Sequence, residues 1–257
     1  MSLAEALAVF AAGIGAGTIN TIVGSGTLIT FPVLLAVGLP PVTANVSNSL
    51  GLVPGSVTGA VGYRSELTGQ RDRLLRLGTV CLIGGVSGAV LLVTLPSKAF
   101  DAIVPGLIAA ALVLVVLQPR LARSVQARRD RDGVTTPAHG GPLLVIGILL
   151  ASMYGGYFGA AQGVLYLSLM GLFLDEPLQR VNGLKNVLAA TVNGVAALFF
   201  IVVAHMDWTA VGLIAAGATL GGLIGARVGR RLPPAALRGL IVAVGIVAIV
   251  QLIVRQT

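Results

Sequence analysis

A chain of 257 residues that is 56% hydrophobic and only 10% charged, with a mean hydropathy of +0.96, has too little polar surface for a soluble domain and reads as an integral membrane protein. Its net charge of +8 would suggest nucleic acid in a soluble protein. Here aromatic residues are only 5%, and the basic residues fall in short loops between apolar runs, where positive-inside orientation explains them. The single cysteine, Cys81, excludes an intrachain disulfide and reads as a small packing residue.

Taken in order, the apolar segments run at about residues 3–23, 26–37, 45–62, 77–95 and 102–118, and again at about 142–160, 163–174, 182–204, 209–229 and 237–254. The opening MSLAEALAVF has neither a basic n-region nor a cleavage-type ending, so the first segment is expected to stay in the protein. A full span needs about 20 residues, so 26–37 and 163–174 are too short to cross upright. They read as short re-entrant or broken helices near 20–32 and 158–170, allowed only when buried in protein or lining a cavity. The runs are continuously apolar rather than alternating, which argues against strands.

The second set of segments copies the first. A shift of 137 positions (163 − 26) places Gly26 on Gly163, Leu28 on Leu165, Pro40 on Pro177 and Asn45 on Asn182, and Gly84, Gly85 and Gly88 on Gly221, Gly222 and Gly225. The domains expected are a first repeat at 1–118, a basic cytoplasmic linker at 119–141, and a second repeat at 142–257. Basic loops change places between the halves. Arg64, Arg71, Arg73 and Arg76 face a second-half loop (Ala204–Trp208) without Lys or Arg, whereas Lys98 alone faces Arg230, Arg231 and Arg238. That swap predicts an all-α polytopic membrane protein of two inverted repeats, about five apolar segments each, with the N-terminus outside. Eight full spans with parallel halves is the alternative.

Three features bear on chemistry. The breaks at Thr21–Thr27 and Phe158–Gly163 leave helix-starting amides unpaired, and those donors with the positive end of the dipole suit an anion. Asn182, Lys185, Asn186 and Asn193 lie along one helix face, and the shift carries them to Asn45, Asn48, Ser49 and Ser56. Two such faces meeting would line a polar pocket, or serve as interhelical glue. Lys185 stands about a turn inside its segment with no acidic partner in the same helix. It either meets an anionic substrate or snorkels to the interface. The candidate substrate-binding residues are Asn20, Ser25, Gly26, Thr27, Asn45, Asn48, Ser49, Gln162, Gly163, Asn182, Lys185 and Asn186. All nine carboxylates lie at segment ends or in loops, so a carboxylate proton relay has no candidate. HExxH, CxxC and P-loop motifs are absent. No catalytic set, metal site or cofactor is expected.

The chain resembles the sulfite exporter TauE/SafE family. The resemblance rests on GSGTLITFPVLLAVGLPPVTANVSNSLG, its second-half copy FGAAQGVLYLSLMGLFLDEPLQRVNGLKN, the MDW loop and GGLIGARVGRRLP. Against the family's glycine-rich runs, this chain has Gly24-Ser25-Gly26 and Ala160-Ala161-Gln162-Gly163, so Gln162 adds a polar side chain at the second break. The resemblance implies movement of sulfite, thiosulfate or organosulfonates. The residues themselves support a small anion. The function expected is a secondary transporter in the plasma membrane, working by alternating access between the repeats. Its partners are the anion and the bilayer, without nucleic acid, and a homo-oligomer is open. The competing readings are a membrane enzyme acting on lipid phosphate or acyl groups, and a non-transporting scaffold.

Overall fold

The computed structural model describes residues 1–132 and 140–228, together with Gly239, Val242, Ala243 and Ile246. Among the described residues there are nine α-helices and no strand. They are α1 (Leu3–Ile22), α2 (Thr27–Ala36), α3 (Pro41–Gly62), α4 (Arg71–Thr94), α5 (Ser97–Asp132), α6 (Gly141–Tyr157), α7 (Gln162–Phe173), α8 (Leu178–Val203) and α9 (Trp208–Val228). Five stretches are long and apolar enough to cross a membrane: α1, α4, Ser97–Leu117 of α5, α8 and Trp208–Arg227 of α9. The protein is therefore an all-α polytopic membrane protein. The expected tenth segment, 237–254, lies almost wholly outside the described residues.

Helix ends follow local chemistry. Ser2 and Glu5 form a reciprocal capping box at the start of α1. Pro40 and Pro177, 137 positions apart, hold extended backbone immediately before α3 and α8. Both helices therefore begin at these prolines and not, as hydropathy suggests, at Asn45 and Asn182. Their polar strips lie in the second helical turn. α5 continues to Asp132, through the first half of the expected linker, because nothing in Arg120–Asp132 stops a helix before Gly133.

The two halves interlock. α1 packs on α9, and α4 packs on α6, with α3 and α8 between them. Small residues allow the backbones to touch. Gly13 faces Ile214 and Gly217, while further along Gly225 faces Thr18 and Thr21, so α1 and α9 run in the same direction. Gly84 lies on Leu149–Met153 and Gly88 on Met153–Tyr157, so α4 and α6 also run in the same direction. Gly51 lies on Val211 and Ile214 and Gly55 on Ala218, which makes α3 parallel to α9. α2 does not cross. Gly26 at its start packs on Ala16 and Asn20, near the end of α1, and Thr27 and Thr30 pair with Asn48 in the second turn of α3.

Candidate functional site

The breaks meet. Gly24 has φ +89°, and its carbonyl accepts a hydrogen bond from the Gly163 amide at 3.0 Å. A Cβ on either glycine would be driven into the other's backbone. The second break needs positive φ at Gly159 and again at Ala161, the one non-glycine residue in that region among those described. Such a conformation costs about 1–2 kcal/mol for a residue with a Cβ.

The polar strip of α8 closes on the end of α1. Lys185 is 1% exposed, and its Nζ donates to Asn20 O at 2.8 Å and Thr21 O at 2.9 Å. Asn182 Nδ2 and Asn186 Nδ2 also donate to Thr21 O, at 3.3 and 3.2 Å. The last carbonyls of a helix have no intrahelical partner and carry the negative end of its dipole, so an ammonium is favoured there. This accounts for a lysine buried where a charge costs about 2.5–3.5 kcal/mol at mid-membrane on insertion scales. Lys185 does not snorkel.

The first half repeats the theme without the charge. Asn45 Nδ2 donates to Tyr157 O at 2.9 Å, at the end of α6. Asn48, the counterpart of Lys185, turns instead to its own half, donating to Thr27 Oγ1 at 3.2 Å and accepting from Thr30 Oγ1. The shift takes Thr27 and Thr30 to Val164 and Leu167, which offer no polar atom. Position 185 must therefore find its partners across the junction.

Two expected site residues face elsewhere. Gln162 Nε2 donates to Tyr166 Oη at 2.7 Å, within a buried set that includes Ser152 and Cys81 between α4, α6 and α7. Ser49 Oγ bonds back to Asn45 O at 2.9 Å on its own helix. Asn20 keeps its amide on Ser56 Oγ at 3.1 Å and contributes its carbonyl to the junction.

The breaks also differ in their amides. Those of Gln162, Gly163, Val164 and Leu165 all donate to backbone carbonyls, which leaves Ala160 and Ala161 without an acceptor among the described residues. At the first break Leu28, Ile29 and Thr30 are satisfied, whereas Gly26 and Thr27 have no acceptor among the described residues. Ser25 is buried beside them with its hydroxyl unpartnered. Thr21 Oγ1, Asn45 Oδ1, Tyr157 Oη and Asn182 Oδ1 are likewise buried without partners. Thr21 and Tyr157 are absent from the candidates read from sequence. Their signal was a polar residue in the last turn before each break.

On the side of the 64–76 loop the halves are clasped by charge. Glu176 accepts from Arg73 Nη1 at 2.9 Å and Arg180 Nε at 2.6 Å. Arg180 Nη2 donates to Thr68 O at 3.1 Å, and Gln70 Nε2 to Arg180 O at 3.4 Å. Partial burial pushes the Glu176 carboxyl up, but the hydrogen bonds and charges of Arg73 and Arg180 outweigh it and hold the group below its ordinary range. A separate apolar cavity of about 460 Å³ opens between α5, α6 and α7, lined by Leu114, Tyr154 and Leu169 among others. Among the described residues no group of three or more His, Cys, Asp and Glu side chains could hold a metal.

Broken helices that meet in the interior, with buried polar residues at the breaks, are the architecture of a membrane transporter. The family model for the sulfite exporter TauE/SafE matches residues 9–252, and the chain belongs to that family. It is 28% identical over 218 residues to "Probable membrane transporter protein YfcA" of Escherichia coli (strain K12), spanning 84% of this chain and 76% of that one. It is 27% identical over 222 residues to a "Probable membrane transporter protein" of Haemophilus influenzae, spanning 85% and 82%. No solved structure matches the chain.

Proposed function

We propose that this protein is a secondary transporter of small sulfur-containing anions, of the sulfite, thiosulfate or organosulfonate class, in the plasma membrane. The observation that carries the reading is Lys185: a buried ammonium at the junction of the two breaks, held by carbonyls and by no carboxylate among the described residues. Two of its three N–H groups are engaged, and the third is free for an anion. Its stem passes over Gly163, which packs on Gly24; Ser25, Gly26 and Thr27 follow Gly24 in the chain with an unpartnered hydroxyl and two free amides. The sulfur class follows the family; the donors select a small oxyanion.

Helix directions support inverted halves. α1 and α3 run with α9, α4 runs with α6, and the short loop 63–70 turns the chain between α3 and α4. α1 and its counterpart α6 then cross in opposite senses, as do α4 and α9. The Arg64–Arg76 loop and the start of the linker fall on one side, the cytoplasmic one by charge. The close Gly24–Gly163 contact corresponds to an occluded state, and rocking one half against the other opens the site to either face.

The scaffold alternative requires polar strips that satisfy one another, and the unpartnered Asn45 Oδ1, Asn182 Oδ1 and Ser25 Oγ speak against it. For the enzyme alternative the Ser152–Tyr166–Cys81 set is the nearest to a nucleophile cluster, and it contains no base. A thermal-shift screen of purified protein against sulfite, sulfate, thiosulfate, sulfoacetate, phosphate and carboxylates tests the substrate class, since ligand raises stability by mass action. Sulfur anions should stabilise selectively. A response to carboxylates or phosphate alone would overturn the class.

A further inference from the structure

The end of α1 is built like a cation site. Asn20 O and Thr21 O converge there, and both carry the negative end of the helix dipole. Two further oxygens on the residues around these carbonyls have no partner, the first of them facing Gly59 of α3. They are Thr21 Oγ1, on a residue 1% exposed, and Asn182 Oδ1, on a residue 6% exposed whose amide nitrogen already touches Thr21 O. Two such carbonyls at a half-helix C-terminus are the kind of ligand a transporter offers to sodium. Here the position is filled by an ammonium on a side chain.

We infer that Lys185 is the tethered coupling cation of this carrier, so that anion movement is coupled to a proton and not to sodium. This rests on the transport reading given above. In the protonated state the ammonium spans Asn20 O and Thr21 O and presents its third N–H to the anion. When the site opens, one Nζ–H bond breaks, the proton passes to water on the open side, and the electron pair stays on Nζ. The neutral amine holds neither the carbonyls nor the anion well, so proton and anion leave together. The coupling is therefore a symport of one proton per anion.

The surroundings leave Lys185 as the group that changes charge. α1 contributes only neutral groups at this end, its carboxylate Glu5 standing at the other. α2 and α3 contain no ionisable side chain, and in α6 and α7 the ionisable groups are tyrosines, with Tyr166 bonded to Ser152 and Gln162. On α4, Arg73 is tied to Glu176, Cys81 to Ser152, and Arg71, Asp72 and Arg76 stand in the first two turns at the loop end. On the 3₁₀ turn at Arg64–Leu67, Glu66 faces Gly183, and Arg64 is exposed. On α8 itself Arg180 is paired with Glu176. Neither sodium nor a second titrating group is needed.

Two measurements on the full chain test this. In detergent, thermal unfolding is compared in sodium chloride and in choline chloride. The wild type should be indifferent to the exchange, because its cage is filled. Lys185→Ala should gain several degrees selectively in sodium; if it does not fold, Lys185→Asn, the residue present at position 48, carries the same comparison. Equal sodium stabilisation of wild type and variant, or none in either, would overturn the tethered-cation assignment.

In vesicles at clamped potential, uptake of radiolabelled thiosulfate, which stays fully ionised near neutral pH, is driven by acid outside. A gradient of one pH unit should support up to about tenfold accumulation by the wild type. The Lys185 variants should lose that response, and whatever exchange they keep, at a raised KM, should ignore the pH gradient. Exchange in the wild type that ignores the pH gradient but follows a sodium gradient overturns the proton assignment and leaves the transporter standing. Absence of exchange in the wild type overturns the transport reading for this anion, and the sodium comparison then decides the cage alone.

Discussion

Gly24 and Gly163 lie backbone against backbone, joined by a 3.0 Å hydrogen bond from the Gly163 amide to the Gly24 carbonyl. They sit at the turn of each break and are the point where the two breaks touch. Both jobs exclude a side chain: Gly24 has a positive φ, and a Cβ on either would overlap the other residue.

Gly24→Ala therefore combines backbone strain with overpacking and should destabilise the protein by about 3 kcal/mol or more. Gly163→Ala, with a similar clash, should do nearly as much. Thermal unfolding by fluorescence-detected size exclusion reads both. Changes of less than a degree would show that the breaks do not bear on each other in the membrane.

Gln162 distinguishes position in sequence from position in space. Its amide is spent on Tyr166, away from the junction. Gln162→Met should leave anion affinity within about twofold of wild type and cost about 1 kcal/mol of stability for the lost hydrogen bond. Ser25→Ala should do the reverse, weakening anion binding with little effect on unfolding. The two variants measured by the same thermal shift with and without anion separate these outcomes.

Glu176 makes the clasp sensitive to acid. Its folded pKa lies below the ordinary value, so its stabilisation is fully present above the unfolded carboxylate pKa of about 4.3 and is lost as pH falls through the lower folded value. Glu176→Gln should remove that acid-side slope and cost about 2 kcal/mol at neutral pH, since two charge-assisted hydrogen bonds weaken. Unfolding midpoints at pH 4 and pH 7 for both proteins check the sign. A variant that keeps the full acid slope would place its origin elsewhere.

Helix contacts rest on small residues. Gly84→Val would push into Leu149, Ser152 and Met153 of α6, and Gly221→Val into Ile14 and Thr18 of α1. The two sites are counterparts under the 137-residue shift, so both variants should lose folded protein to a similar extent, visible as aggregation on size exclusion. Tolerance at one site only would contradict an interlocked pair of halves.

Much of this was legible in the chain. The short lengths of 26–37 and 163–174 announce α2 and α7, and the small residues Gly84, Gly88, Gly221 and Gly225 mark the faces on which α4 meets α6 and α9 meets α1. Hydropathy misplaced the starts of α3 and α8, because the prolines before them, not apolarity, begin them. The site was half readable. The depth of Lys185 and its lack of an acidic neighbour leave burial and snorkelling both open, and the structure buries it. Its engagement with the end of α1 does not follow from the sequence, because it depends on which distant backbone runs out of hydrogen bonds beside it. The bond from the Gly163 amide to Gly24 also depends on a contact between segments, and spacing carries no trace of it, whereas the turn of Gln162 to Tyr166 is an i,i+4 contact within α7.

The most direct test of the account is gradient-free exchange of radiolabelled sulfite across vesicles containing the full chain, measured against sulfite concentration for wild type and Lys185→Ala. Saturable exchange is expected for the wild type, with a KM raised about tenfold or more in the variant for the loss of one charge-assisted hydrogen bond. Exchange with an unchanged KM in a folded Lys185→Ala protein would contradict it, for the anion would then pass without meeting the lysine at the junction.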